Sequence, residues 1–161
     1  MTEKNASEMI QVPNTLKLKV GGGRFGGIDP TAIAKAEAAL KSLSANFAEW
    51  LQDELNKLEA SRARIKSEGL TAQTTENLYL RAHDLKGLGS TYEFPIITRM
   101  AASLCRLIDD PVKRTAAPLF LIDAHIDAIR ASVRDNIRDE AHPVGKGLAE
   151  ELEAQVKAFQ G

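Results

Sequence analysis

Apolar residues return at every third or fourth position along most of this chain, and polar residues fill the places between. The first such stripe is Ile33, Ala36, Leu40, Leu43, Phe47, Trp50 or Leu51, Leu55, Leu58 and Ile65. That spacing keeps side chains on one face of a helix. Asp29 suits the N-cap and Pro30 the first helical position. The helix is expected to run to about Ser67, where Gly69 stops it. A second helix is expected from about Thr74 to Tyr92, capped by Thr74 or Thr75, with Leu78, Ala82, Leu85, Gly89 and Tyr92 on its inner face. Pro95 opens a third, with Ile96, Ile97, Met100, Leu104, Leu107 and Ile108 as its stripe, closed by Asp109, Asp110 and Pro111. Leu119, Ile122, Ile126, Ile129, Val133 and Ile137 mark a fourth. After His142, Pro143 and Gly145, residues Leu148 to Phe159 suggest a short fifth helix, packed on the others or solvated.

Four amphipathic helices joined by short turns bury their stripes most simply as an antiparallel four-helix bundle. The expected fold is therefore all-α. Its parts are a flexible, irregular N-terminal extension over 1–28, the bundle over 29–139, and a tail with a short helix over 140–161. Within the extension, Leu16, Leu18 and Val20 alternate with Lys17 and Lys19, as in a short strand. The run Gly21-Gly22-Gly23-Arg24-Phe25-Gly26-Gly27 that follows lacks the Lys-Ser/Thr of a phosphate-binding loop and reads as a linker.

Composition narrows the function. The chain has 161 residues, enough for one core without metal or disulfide staples. Its formal net charge of −1 offers no basic field for nucleic acid. The single cysteine, Cys105, forms no zinc-spaced pair, and the three histidines form no His-x-x-x-His pair, so neither a metal nor another cofactor is expected. No apolar run reaches the roughly 20 residues that span a bilayer. The stretch from Met1 to Gln11 is polar, carries Glu3 and Glu8, and lacks the apolar core of a signal peptide. A soluble, cytoplasmic, monomeric protein is the expectation.

The stretch richest in chemistry is Ala82-His83-Asp84-Leu85-Lys86-Gly87-Leu88-Gly89-Ser90. At about 100° per residue, Lys86 lies about 60° from His83, Gly87 about 40° to the other side, and Ser90 about 20° away two turns on. Ala82, Leu85, Gly89 and Tyr92 point the other way. His83 is therefore expected on the exposed face of a rigid helix. A neutral imidazole is a good nucleophile near neutral pH. Lys86 supplies a cation for an anion bound there. Gly87 costs a helix roughly 1 kcal/mol relative to alanine and leaves room for a partner to approach. Ser90 offers a hydroxyl to the imidazole or to the anion. Tyr79 and Leu80, one turn earlier, offer an apolar docking patch beside the histidine, with Glu76 a further turn back as a third partner-binding residue.

The sequence Ala82-His83-x-Leu85-Lys86-Gly87 resembles the signature of the histidine phosphotransfer (HPt) domains of multistep phosphorelays, and is similar to the phosphoacceptor domains of chemotaxis kinases. The resemblance covers roughly residues 30–139. It implies a four-helix bundle with a phosphorylated histidine on the second helix. His83 would take a phosphoryl group from a receiver aspartate or from a hybrid histidine kinase and pass it to the aspartate of a response-regulator receiver domain. Lys86 would match the charge-neutralising lysine and Gly87 the access glycine. With no nucleotide-binding domain in view, the chain would be a phosphocarrier and not an ATP-dependent enzyme. Three positions depart from the family pattern. Leu88 and Glu93 stand where small residues and a second glycine are usual, and Cys105 stands on the third helix where many members carry the Gln or Glu that orients the imidazole.

The remaining histidines carry less. His125, beside Ile122 and Ile126, reads as a boundary residue, and His142 as a loop residue before Pro143. Asp109 and Asp110 read as caps of the next turn and not as magnesium ligands. Two rival functions remain at this level. One is a phosphoacceptor and dimerisation fragment of a histidine kinase, which Asp84 after the histidine fits and Gly87 does not; a stable dimer would favour it. The other is a helical adaptor without phosphoryl chemistry.

Overall fold

The computed structural model describes residues 29–161, and every regular element in it is helical. The proposed strand over residues 15–20, the glycine run and the rest of the N-terminal extension lie outside the described residues. Five α-helices follow in order: α1 (Pro30–Glu68), α2 (Ala72–Leu88), α3 (Pro95–Leu107), α4 (Leu119–Arg134) and α5 (Pro143–Gln160), with one 3-10 turn at Arg114–Ala116 between α3 and α4. The chain divides into two units at Ala45 and Asn46, and residues 46–161 form the larger one.

Local chemistry explains where the helices begin and end. Asp29 caps α1, its Oδ1 accepting from Thr31 N at 3.2 Å. At the other end Gly69 takes φ +88° and donates its N–H to Ile65 O at 2.8 Å, the left-handed stop that glycine adopts without steric cost. Helix α2 starts two residues earlier than its apolar spacing suggests, because Thr71 is its cap. Thr71 Oγ1 accepts from Thr74 N at 3.1 Å, and Thr71 N donates to Thr74 Oγ1 at 2.9 Å. Such a reciprocal pair satisfies two donors at once. The Thr75 hydroxyl points back to Thr71 O at 2.6 Å and so caps nothing. Helix α2 ends at Leu88, four residues short of Tyr92, and the chain turns through 89–93. Glu93 closes that turn at φ +69°. This is the conformation a glycine accepts most easily, at one of the positions where the resembled family carries glycine. Arg138 anchors the strained turn, donating to Glu93 Oε1 at 3.2 Å and laying its guanidinium 4.4 Å from the Phe94 ring centroid.

Helix α3 is the axis of the larger unit, packed against α2, α4 and α5. Ile96, Ile97, Met100 and Leu104 are all fully buried there. The C-terminal half of α1 adds Leu51, Leu55, Leu58 and Ile65 to the same core. Polar links fix its neighbours. Ser61 bonds Asn77 of α2. Arg62 donates to Asp127 of α4 at 2.9 Å and to Glu59 of its own helix at 2.8 Å, and Arg130 of α4 reaches Glu59 at 3.0 Å. Arg62 is 7% exposed, and its bonds to Glu59 and Asp127 hold its pKa above the ordinary arginine value against the cost of burial. The final helix is longer than its apolar stripe suggests. It has 18 residues and packs on both α3 and α4. Gly145 in its first turn is the reason it can seat so closely, since a Cβ there would stand 2.9 Å from Ile137 Cγ2 and 3.2 Å from Ile96 Cγ1.

His125 is a core residue and not a boundary one. It is 0% exposed, with Nδ1 2.7 Å from Leu121 O and Nε2 2.9 Å from Ser103 Oγ. A carbonyl only accepts, so Nδ1 carries the proton and Nε2 accepts from the serine hydroxyl. Burial pushes its pKa below the ordinary histidine value of 6.5. The unfolded chain protonates this group near pH 6.5 while the folded chain keeps it neutral. Stability is therefore full above pH 6.5 and falls as pH drops, by up to about 1.4 kcal/mol per pH unit until the folded pKa is reached. Urea unfolding between pH 7.5 and 5 is expected to show this loss, and a His125→Gln chain is expected to lack it. An equal slope in both chains would exclude His125 as its source.

Candidate functional site

Helix α2 presents one wet face and one dry one. Leu78, Ala82 and Leu85 are buried, whereas Glu76, Leu80, His83, Asp84 and Gly87 are exposed. The wet face follows from the spacing, because residues 76, 80, 83 and 87 recur at four, three and four positions. His83 accepts and donates no hydrogen bond to another described residue. Its ring lies beside that of Tyr79, with centroids 6.0 Å apart and planes tilted by 36°. Tyr79 is half-buried and is held from a later segment of the chain. The guanidinium of Arg114, in the 3-10 turn, sits 5.2 Å from the Tyr79 centroid. Arg114 is itself 8% exposed and donates to Asp109 O at 3.3 Å. The imidazole therefore rests on a tyrosine that a buried cation pins, a cation–π contact of about 0.5–2 kcal/mol. Periodicity gave no sign of Arg114, because it lies outside any α-helix and 35 positions after Tyr79.

Around His83 the charges are mixed. Arg81 approaches Asp84 to 3.9 Å, a loose pair one turn of helix in length. Lys86 is half-buried, and among the described residues it forms no ion pair. Its field reaches Cys105 on α3, where it works against the burial that pushes the thiol up. Cys105 is 5% exposed and protonated at neutral pH. A thiol with a raised pKa is a weak donor and no substitute for a carboxamide that orients an imidazole.

The two glycines that follow differ sharply. At Gly87 an added Cβ would meet nothing within 4 Å. At Gly89 it would stand 2.5 Å from Thr98 Oγ1, 2.7 Å from Thr98 N and 3.1 Å from Phe94 O. Gly89 is required by packing where α2 meets the start of α3; Gly87 is not required by any neighbour. Ser90 belongs with Gly89. Its N–H donates to Thr98 Oγ1 at 3.0 Å and its hydroxyl lies 3.3 Å from the same oxygen. The serine thus fastens the end of α2 to α3, and the structure shows no hydrogen bond from it to His83. Of the residues singled out in the sequence, His83, Tyr79, Leu80, Glu76 and Gly87 share one face, Lys86 borders it, and Ser90 is engaged at its end. His142 is an N-cap and not a free loop residue, its Nδ1 accepting from Val144 N at 3.2 Å. Among the described residues no cluster of three or more His, Cys, Asp or Glu side chains has a metal-binding arrangement, and no helix is long and apolar enough to cross a membrane. Comparison with protein-family models, with curated proteins and with solved structures finds no match to this chain.

Proposed function

We propose that this chain is a histidine phosphotransfer protein in which His83 accepts a phosphoryl group from one receiver-domain aspartate and returns it to another. The observation that carries the reading is the pairing of an exposed imidazole with a glycine one turn on, in the last turn of α2, that no packing contact requires. A helix interior loses roughly 1 kcal/mol by carrying glycine instead of alanine. That cost is smaller in the last turn, where Gly87 stands, but no neighbour needs a glycine there, and access to the imidazole is the role assigned to it. The arrangement of α1 to α4 is read as an antiparallel four-helix bundle, with the C-terminal half of α1 beside α2 and α4 and with α5 packed on its outside.

In the proposed step the lone pair of the unprotonated ring nitrogen attacks the phosphorus of the receiver's acyl phosphate. An N–P bond forms, the P–O bond to the aspartate breaks, and its electrons leave on the carboxylate. The return step is the reverse. Lys86 offsets the charge gained by His83, and Tyr79 holds the ring and, with Leu80 and Glu76, borders the partner. The receiver's own acidic pocket and its magnesium would supply most of the charge stabilisation, as the family resemblance implies. The donor in this reading is a phosphorylated receiver or the receiver of a hybrid kinase.

Incubating the chain with a panel of radiolabelled, phosphorylated receiver domains tests this. The label should move to the chain and be lost in acid but kept in base, as for a phosphoramidate. No transfer from any receiver would favour the adaptor reading, and label stable to acid would place the phosphoryl group elsewhere. A Gly87→Leu chain should remain folded, because the space above residue 87 is open, yet accept label at least ~30-fold more slowly, equivalent to about 2 kcal/mol of added barrier. An unchanged rate would remove the access role of Gly87.

A further inference from the structure

The apolar stripe of α1 has two parts with different surroundings. From Leu51 to Ile65 it is buried in the core. Before that it continues through Ile33, Ala36, Leu40, Leu43, Phe47 and Trp50, and there it is open: Leu40 is 67% exposed, Leu43 and Trp50 43%, and Ile33 42%. Phe47 and Trp50 each touch Tyr92, with centroids 5.8 and 6.1 Å apart, and this covers Trp50 only in part. Six residues alternating by three and four define the a and d positions of a heptad over about 27 Å of helix.

We infer that this stripe is the seam of an antiparallel dimer formed with a second copy of the chain. The residues are self-complementary about a two-fold axis between positions 41 and 42. In that register Leu40 meets the partner's Leu43, Ala36 meets the partner's Phe47, and Ile33 meets the partner's Trp50. Each bulky aromatic faces a smaller side chain, which is how facing layers interdigitate. A parallel seam would instead stack Trp50 on Trp50 and Phe47 on Phe47 and leave a gap between two Ala36 methyls. The flanking positions agree. Ala39 falls beside the partner's Asn46 and Glu37 beside the partner's Ser44, so no like charges meet and the small side chains let the helices approach. A single sequence that supplies both halves of the match, with large side chains opposite small ones, points to a second copy as the occupant.

The seam is short, at the low end of stable interfaces, so the dimer should exchange with monomer. It takes no residue from α2, which separates it from a dimer built on the phosphoacceptor helix, and it replaces the monomer expected from the sequence.

Sedimentation of the full chain between about 1 and 300 μM should show a monomer–dimer equilibrium. Over the same range the emission of Trp50, the one tryptophan of the sequence, should shift to the blue as it is buried. Leu40→Asp should stay monomeric and keep its helical circular dichroism, since residue 40 lies outside the core. The pair Leu40→Lys with Leu43→Glu should regain the dimer, because each new lysine faces a new glutamate. Orientation is read in a Cys105→Ser background. Ala36→Cys mixed with Phe47→Cys should form the mixed disulfide, and Ala36→Cys alone should not. A monomer at every concentration, or efficient crosslinking of residue 36 to itself, would overturn the proposal.

Discussion

A His83→Gln chain is expected to keep its fold and to lose phosphoryl acceptance completely. The two halves of that expectation come from different observations. His83 is exposed and makes no hydrogen bond to another described residue, so its only visible tie is the tilted contact with Tyr79. Substitutions at such positions usually change stability by no more than about 0.5 kcal/mol. The carboxamide of glutamine is of similar reach but has no lone pair basic enough to attack phosphorus, and no stable N–P adduct follows. Thermal unfolding of the variant should therefore overlay that of the parent while the acid-labile label disappears. Label retained on the variant would move the acceptor away from His83. The other two histidines are poor rescuers. His125 is enclosed with both ring nitrogens bonded, and His142 has Nδ1 committed to the start of α5.

How much of this was legible in the sequence differs by element, and the differences have physical causes. The stop of α1 at Gly69 and the start of α3 at Pro95 are set by backbone rules that act within a few residues, and both were readable. The cap of α2 was misplaced because three threonines, Thr71, Thr74 and Thr75, are all chemically able to cap, and only the reciprocal bonds of Thr71 and Thr74 choose among them. The end of α2 was overrun because Tyr92 keeps the apolar period beyond Leu88. The helix ends because the Ser90 N–H goes to Thr98 Oγ1, eight positions away, and Glu93 turns the chain at φ +69°. The misreading of His125 has a similar origin. An imidazole among isoleucines lies at the edge of the stripe by spacing alone, and its burial depends on Ser103 of α3, which no local pattern reveals. The exposed face around His83 was readable from helical geometry, whereas the Arg114–Tyr79 support beneath it was not, being a contact between distant segments.

Charge follows the same division. Arg62 lies on the apolar side of α1, where spacing alone would place a hydrophobic residue, and it is tolerated because Glu59, Asp123 and Asp127 surround it. Breaking one partner of a buried charge costs more than the pair contributes. The Arg62 cluster therefore fixes how α1 lies against α4 more than it stabilises the fold.

The pair of glycines at the end of α2 gives the second large effect, and the two should respond to alanine with opposite signs. Gly87→Ala is expected to stabilise the chain by up to about 1 kcal/mol, since alanine is the better helix former and its methyl meets no neighbour. Gly89→Ala is expected to destabilise it by about 2–3 kcal/mol, the usual cost of forcing a methyl into filled space. For a domain of this size that lowers the melting temperature by roughly 5–10 °C. The clash cannot be relieved by one rotamer. Thr98 Oγ1 can swing away, but Thr98 N at 2.7 Å and Phe94 O at 3.1 Å are backbone atoms of the segment that opens α3. Moving that segment also strains the bond from Phe94 N to Gly89 O at 2.8 Å and that from Ser90 N to Thr98 Oγ1. A Gly89→Ala, Thr98→Ala double variant should consequently recover only part of the loss. Full recovery would assign the clash to the threonine side chain alone, and an equal response of the two glycines would remove the contrast on which the access role of Gly87 rests.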